Sequence, residues 1–294
     1  MSIIIGIFEQ GLIFAIMALG VYITYKILDF PDLSVDGTFP LGAAITAALI
    51  TRGINPFLTL IASFLIGALA GMFTGIIHVR LKVRDLLSGL IIMTALYTIN
   101  LRIAGQANLP IFSKETLFNN QFVNDMLPAS VKKYATLILL LFIVVIMKFI
   151  LDLYLKTKSG YLLRAVGDNS VLVTSLGKDN GLVKILGLSL ANGFVALSGS
   201  IYCQQQGFFE ITMGTGTMVM GLASVIIGMN LFKYIPKVKN TTAVIAGSII
   251  YKTCVAIAIG LGLAASDLKL ITSLLFLAIL IYSRDKKRKV NANA

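Results

Sequence analysis

Three carboxylates, Asp29, Asp32 and Asp36, fall within eight residues, directly ahead of a segment rich in Gly and Thr. Carboxylates so placed can cap the following helix or take a direct part in transport. Deep in lipid a carboxylate is costly and functional by default, whereas at a membrane face it is solvated. Asp36 is best placed as an N-cap for a helix beginning near Thr38. Other reactive groups are sparse. Cys203 and Cys254 lack metal-ligand spacing and read as packed, unpaired thiols, and the single His78 falls in a basic loop. No nucleophile, base and orienting group converge, which argues against a membrane-embedded enzyme. No G-x-x-x-x-G-K-[ST] phosphate loop occurs, so the chain has no ATP site of that kind, and no metal or cofactor is expected.

The elements that hold these residues are set by hydropathy. Of 294 residues 57% are hydrophobic and 13% charged, and mean hydropathy is +0.90. A soluble domain is about 45–50% apolar and about 25% charged. One membrane domain over 1–283 and a basic tail at 284–294 follow. The charge of +12, from 25 Lys+Arg against 13 Asp+Glu, would suggest a nucleic-acid partner in a soluble protein. Here it marks basic loops on the cytoplasmic side, and no nucleic acid is expected.

Apolar runs long enough to cross lipid lie near 5–27, 39–51, 56–79, 86–103, 134–154, 183–203, 216–231, 242–262 and 267–282, about nine spans. The second and seventh are short and interrupted by Gly. The fold class is all-α, a polytopic helical membrane protein, because backbone polar groups in lipid must pair within their own segment. The amino terminus lacks the basic region and cleavage site of a signal peptide and is expected to stay as the first span. One set of loops carries Arg80, Lys82, Arg84, Lys156, Lys158, Arg164, Lys178, Lys233, Lys237, Lys239 and the 284–289 run RDKKRK. These loops are assigned to the cytoplasm, with the amino terminus outside and the carboxyl terminus inside. The polar external segment 104–133 suggests a short surface helix and loops.

DLSVDGTFPLGAA at 32–44 can be laid on EITMGTGTMVMGLA at 210–223, bringing Gly37 onto Gly216 and Thr38 onto Thr217. The two copies enter from opposite faces. Inverted repeats with paired, interrupted helices point to a transport pathway near the midplane. The repeats run over about 5–154 and 183–282. Asp36, Gly37, Thr38, Gly214, Thr215, Gly216 and Thr217 are its candidate lining, offering helix-end N–H groups and hydroxyls to a polar solute. Small residues that merely pack helices are the plainer alternative. Met213, Met218 and Met220 read either as packing or as a polarizable surface for an aromatic ring.

The loop 156–181, KTKSGYLLRAVGDNSVLVTSLGKDNG, is too polar to span, yet Tyr161, Leu162, Ala165 and Val166 give it an apolar stripe. Gly160 and Gly167 punctuate a short helix, and Asp168, Asn169 and Ser170 can cap a second. Such a helix suits docking into a partner's groove, or lying on the lipid surface.

SGYLLRAVGDNSVLVTSLGKD resembles the coupling-helix loop of ABC-importer permeases in the branched-chain amino-acid and ribose permease superfamily. QGLIFAIMALGVYITYKILDFPDLSVDGTFPLGAA resembles its first two spans, and DFPDLSVDGTFPLGAA its tryptophan/tyrosine-type branch. GTGTMVMGLASVIIG is similar to its Gly-rich second-half segment. The chain departs from branched-chain permeases at Asp29-Phe30-Pro31-Asp32, where an Asn-Phe-Ala-His-type motif is usual. The resemblance implies a bacterial inner-membrane permease, homodimeric or paired with a related subunit. It also implies cytoplasmic ATPase subunits that grip Gly160, Tyr161, Leu163, Arg164, Ala165, Gly167, Asp168 and Asn169, and an external, lipid-anchored substrate-binding protein. The solute implied is an amino acid, aromatic rather than aliphatic. The rival class is an ion-coupled secondary transporter, for which Glu9, Lys148 and Lys252 are the nearest intramembrane ionisable groups. Lys148 can snorkel; Lys252 is central to its span and unexplained. Cysteines introduced at 82, 158 and 237 are expected to react with an impermeant maleimide only from the cytoplasmic side, and one at 114 only from outside. External labelling at 158 overturns this topology.

Overall fold

The computed structural model describes residues 2–119, 134–175, 177–233, 235, 238–260, 270, 273, 274 and 277. Helix α1 (Ser2–Val21) runs on into a π-helical turn, Tyr22–Ile27, and is followed by α2 (Val35–Thr51), α3 (Pro56–Arg80) and α4 (Asp85–Ala104). After a short strand β1 (Asn108–Pro110) come α5 (Ala135–Tyr154), α6 (Lys158–Asp168), α7 (Ser170–Ser175) and α8 (Asn180–Gln206). Strand β2 (Phe208–Glu210), a 3-10 turn at Ile211–Gly214, α9 (Thr217–Leu231) and α10 (Asn240–Gly260) complete the described chain. Seven of these helical stretches are long and apolar enough to cross a membrane, and α2, at 17 residues, is shorter. The molecule is a polytopic helical membrane protein, and these segments match the first eight expected spans. The ninth, 267–282, and the basic tail fall outside the described residues, four positions aside.

Local chemistry sets the ends. At the α3 start, Asn55 accepts the Phe57 N–H at 2.9 Å and Pro56 occupies the first turn, where its missing N–H costs nothing. Asp179 accepts the Gly181 and Leu182 N–H groups and starts α8, which stops at Gly207 with φ of 79°. His78 is not in a loop: it sits in the last turn of α3, its Nδ1 2.9 Å from the Val83 carbonyl and its ring edge-on to Phe30. Lys148 pairs with Asp152, one turn nearer the end of α5, at 3.0 Å. The expected surface helix of 104–133 is absent from its described part. That part instead forms an antiparallel ribbon, Asn108 opposite Glu210 and Pro110 opposite Phe208; residues 120–133 lie outside the described set.

Helix α8 is the centre of the bundle, buried along most of its length against α3, α2 and α1. Gly67, Gly71 and Gly75 form a stripe on α3 at four-residue spacing. Any side chain there would strike Asn192 and Ala196, Leu188 and Asn192, or Ile185 of α8. Lipid gives no hydrophobic drive between helices, so close approach and dispersion hold them together. In the other half α10 packs on α1, with Gly11 against Ile249, and on α9, with Gly228 and Gly247 in contact. Hydroxyls add cross-links: Ser198 donates to the Ile13 carbonyl at 2.7 Å and Ser248 to the Gly11 carbonyl at 2.9 Å. Gly71→Val is expected to destabilise the purified protein by about 3 kcal/mol through overpacking. Gly6→Ala, which meets open space, is expected to stay within about 0.5 kcal/mol. Thermal unfolding in detergent measures both; equal midpoints would remove the stripe from the packing account.

Candidate functional site

Two of the breaks in the helical course, at 28–34 and 207–216, meet. The first follows the π turn: Asp29 takes a left-handed φ of 51° and Pro31 bars continuation. Asp32 then folds its carboxylate onto the start of α2. It accepts the Ser34 N–H at 2.9 Å and, on its other oxygen, the Asn192 amide at 2.7 Å, while the Ser34 hydroxyl donates to Asn192 at 3.2 Å. Asp32 is fully buried, and these hydrogen bonds satisfy both of its carboxylate oxygens. So of the three carboxylates one is exposed (Asp29), one buried in a satisfied network (Asp32) and one half-buried (Asp36).

Asp36 corrects the sequence-based expectation. Helix α2 begins at Val35, not near Thr38, and Ser34 holds its N-cap position. The Asp36 carboxylate caps the other broken helix: the Gly216 N–H donates to it at 3.0 Å, the Thr217 hydroxyl at 3.0 Å and the Met218 N–H at 2.7 Å. These are orphan donors at the positive end of α9. Gly216 holds φ of 84°, a conformation that favours glycine. Pro40 lacks the N–H that would bond the Asp36 carbonyl, and Gly214 leaves room for that carbonyl and the Pro40 ring.

Beside this junction lies a cavity of about 360 Å³. Asp36, Gly37, Pro40, Ile211, Thr212 and Thr215 form one side. Met93, Thr94, Tyr97 and Asn100 of α4 form the other. Of the expected lining, Asp36, Gly37 and Thr215 are wall residues. Thr38, Gly214, Gly216 and Thr217 are not: Thr38 turns its hydroxyl to the Ser34 carbonyl at 3.0 Å, and the other three build the α9 start. Met213, Met218 and Met220 pack into the core, and Met93 is the methionine at the cavity. The α4 wall was missed, though 93, 97 and 100 share one helix face and an Asn inside an apolar span is a signal. Asn100 is fully buried; its amide donates to the Gly37 carbonyl at 3.0 Å, and its Oδ1 has no hydrogen-bond partner.

The 156–181 loop folds as α6 and α7. Thr157 caps α6 by accepting the Gly160 N–H at 3.2 Å. Gly160, Leu163 and Val166 face inward, whereas Tyr161, Arg164 and Asp168 face out. Leu163 is therefore no exposed contact: it is fully buried against Leu28 and the bare Gly187 of α8. Gly160 and Gly167 do not punctuate the helix; they lie within it, where any side chain would strike Leu155 or the Ile27 carbonyl. Ala165 is half-buried and Asn169 ends the helix. Arg164 lies 6.0 Å from the Tyr161 ring centre. A cleft of about 600 Å³ opens between α6 and the ends of α1, α5 and α10, lined by Lys26, Lys156, Arg164, Lys239, Asp152 and Asp168 among others.

A family described as "Branched-chain amino acid transport system / permease component" matches residues 3–283. The chain belongs to this permease family. Within it, the chain is 49% identical to a tyrosine transport system permease protein of Clostridioides difficile over 280 residues, 95% of this chain and 91% of that one. It is 33% identical to the uncharacterized protein RP368 of Rickettsia prowazekii, over 97% of this chain and 99% of that one. An autoinducer 2 import system permease protein of Salmonella typhimurium is 25% identical over 76% of this chain and 61% of its own length. No solved structure matches significantly. The permease is thus a transport subunit, and the junction of its two broken helices is its most built polar feature. Removing the Asp36 carboxylate tests that feature. Asp36→Ala is expected to destabilise the purified permease by about 2 kcal/mol, as loss of a cap and its hydrogen bonds does. Asp36→Asn, which keeps an acceptor, is expected to cost less. Unchanged unfolding in both variants would mean that α9 does not depend on the cap.

Proposed function

We propose that this chain is the membrane-spanning subunit of an ATP-driven importer that carries an aromatic amino acid inward. The carrying observation is the near full-length similarity to a tyrosine transport permease. The cavity is consistent with it: Met93, Tyr97, Pro40 and Ile211 offer apolar and ring surfaces, while Thr94, Thr212, Thr215 and Asn100 offer hydroxyls and an amide. A binding site of this kind is mostly apolar, with a few placed polar groups.

The exchanged packing supports reading the chain as two inverted repeats, about 5–154 and 183–282. Helix α3 of the first packs on α8 of the second, as α10 of the second packs on α1 of the first. On this reading the amino terminus is outside, and α6 faces cytoplasmic ATPase subunits through Tyr161, Arg164, Asp168 and Asn169. Leu163 and Val166 seat that helix on its own chain. An external binding protein delivers the solute, and two copies of the permease, or this chain and a related one, complete the path. ATP-driven movement of α6 then shifts the population between outward- and inward-open states.

The complex reconstituted with its ATPase and binding protein is expected to hydrolyse ATP faster with tyrosine- or tryptophan-loaded binding protein. Stimulation by sugars or aliphatic amino acids alone would exclude the aromatic assignment. Arg164→Glu is expected to abolish transport and stimulated hydrolysis in a folded, inserted permease. Normal transport by that variant would remove ATP coupling through this loop.

A further inference from the structure

Helix α10 carries a lysine that nothing above explains. Lys252 lies about 18 Å along the axis from the start of α10 at Asn240. Among the described residues no carboxylate pairs with it. Its ammonium rests instead 3.7 Å from the ring centre of Phe14, which stacks on Phe39 and meets Tyr202 edge-on. A cation so deep in an apolar span is costly, and an aromatic face compensates only part of that cost. The lysine also borders open space: a cavity of about 230 Å³ lined by Gly6, Ile7, Gln10, Gln205, Lys252 and Val255, with Ala256 and Ile259 beside them.

The polar lining is a donor set for an anion. Lys252 supplies a full charge and Gln10 an amide N–H that can turn toward an oxyanion, while the Gln205 side chain is held by hydrogen bonds with Glu9 and Gln206. A free carboxylate and a phospholipid phosphate offer a lysine the same oxyanion chemistry, and competition between the two separates them.

We propose that this cavity is a binding site for the carboxylate of a small organic acid, held by Lys252 with Gln10. Identifying that acid with the transported amino acid rests on the importer reading. The site is separate from the cavity at Asp36, to which it is joined through the Phe14–Phe39 stack, since Phe39 precedes the wall residue Pro40.

The full-length permease in phosphatidylcholine nanodiscs tests the site directly. Thermal shift is read against 4-hydroxyphenylpropionate, which has the carboxylate without an ammonium, and tyramine, which has the reverse. The wild type is expected to be stabilised by the acid. Its affinity should fall about tenfold or more in Lys252→Met, as loss of a charge-assisted hydrogen bond implies, and return in Lys252→Arg. Tyramine should show no dependence on residue 252. Lys252→Met removes an unpaired charge, so its unliganded midpoint should be no lower than wild type; Gln10→Leu supplies a variant that leaves the charge in place and should also weaken the acid. Equal binding of the acid by wild type and Lys252→Met, or no binding by wild type, overturns the proposal. So does stabilisation by phosphatidylglycerol that depends on Lys252 and that the acid does not compete away, which would assign the cavity to a lipid headgroup. Intact Lys252-dependent binding with no tyrosine-stimulated hydrolysis in the assembled complex would fault the importer reading and leave the site standing.

Discussion

Inside hydrocarbon an unpaired backbone N–H or C=O costs several kcal/mol, so a helix can be broken there only if something else satisfies its ends. The first break of this permease supplies that satisfaction for both. Asp32 takes the Ser34 N–H and ties α2 to Asn192 of α8, and Asp36 takes two N–H groups and a hydroxyl at the start of α9. A carboxylate suits the second task because it is acceptor-only and two oxygens can meet three converging donors. The same contacts fix where the halves meet, and the cavity follows from the meeting. Helix α4 packs on α2 at Gly37 and bonds to it through Asn100, and the cavity lies between α4 and the α9 entry.

The rest of the bundle is held by absence of bulk. Gly67, Gly71 and Gly75 let the backbones of α3 and α8 approach, and Gly228 and Gly247 do the same for α9 and α10. Serine and threonine hydroxyls inserted between helices, as at Thr46, Ser63 and Ser200, find partners across the interface or on their own backbone. Because lipid competes with apolar side chains on equal terms, these close approaches carry the specificity that a hydrophobic core carries in a soluble protein. Large apolar side chains are accordingly turned outward on α3 and α5, where Leu65, Phe73, Phe142 and Phe149 are exposed.

Hydropathy made the spans legible to within a few residues, because length and composition are what a bilayer selects. The break between α1 and α2, at 28–34, was legible too, from the gap between the expected spans 5–27 and 39–51 and from its acids. What local sequence could not tell was which helix Asp36 would cap. An N-cap read from neighbours assumes the nearest helix, and here the partner is about 180 residues away. Leu163 shows the same limit from the other side. An amphipathic pattern on α6 gives two faces but not their direction, and only the bare Gly187 opposite reveals that Leu163 turns inward. Asn100 was readable as a polar residue in an apolar span; its orientation toward Gly37 depended on a contact no periodicity encodes.

That inward seat of α6 bears on how a movement of this helix would reach the cavity. Leu163 and Gly167 rest on Leu28 and Ile27, which end the π turn of α1. Seven residues later the same strand of chain has passed Asp32 and become the start of α2. A displacement of α6 therefore acts on a short segment whose far end carries both linking carboxylates, with no long flexible loop between to absorb it. The π turn on this route is itself off the regular α-helical hydrogen-bond pattern. On the importer reading, contact between the halves at Asp36 is then the step that a push on Tyr161 and Arg164 would make or release, and the coupling runs through covalent chain rather than through a relay of surface charges.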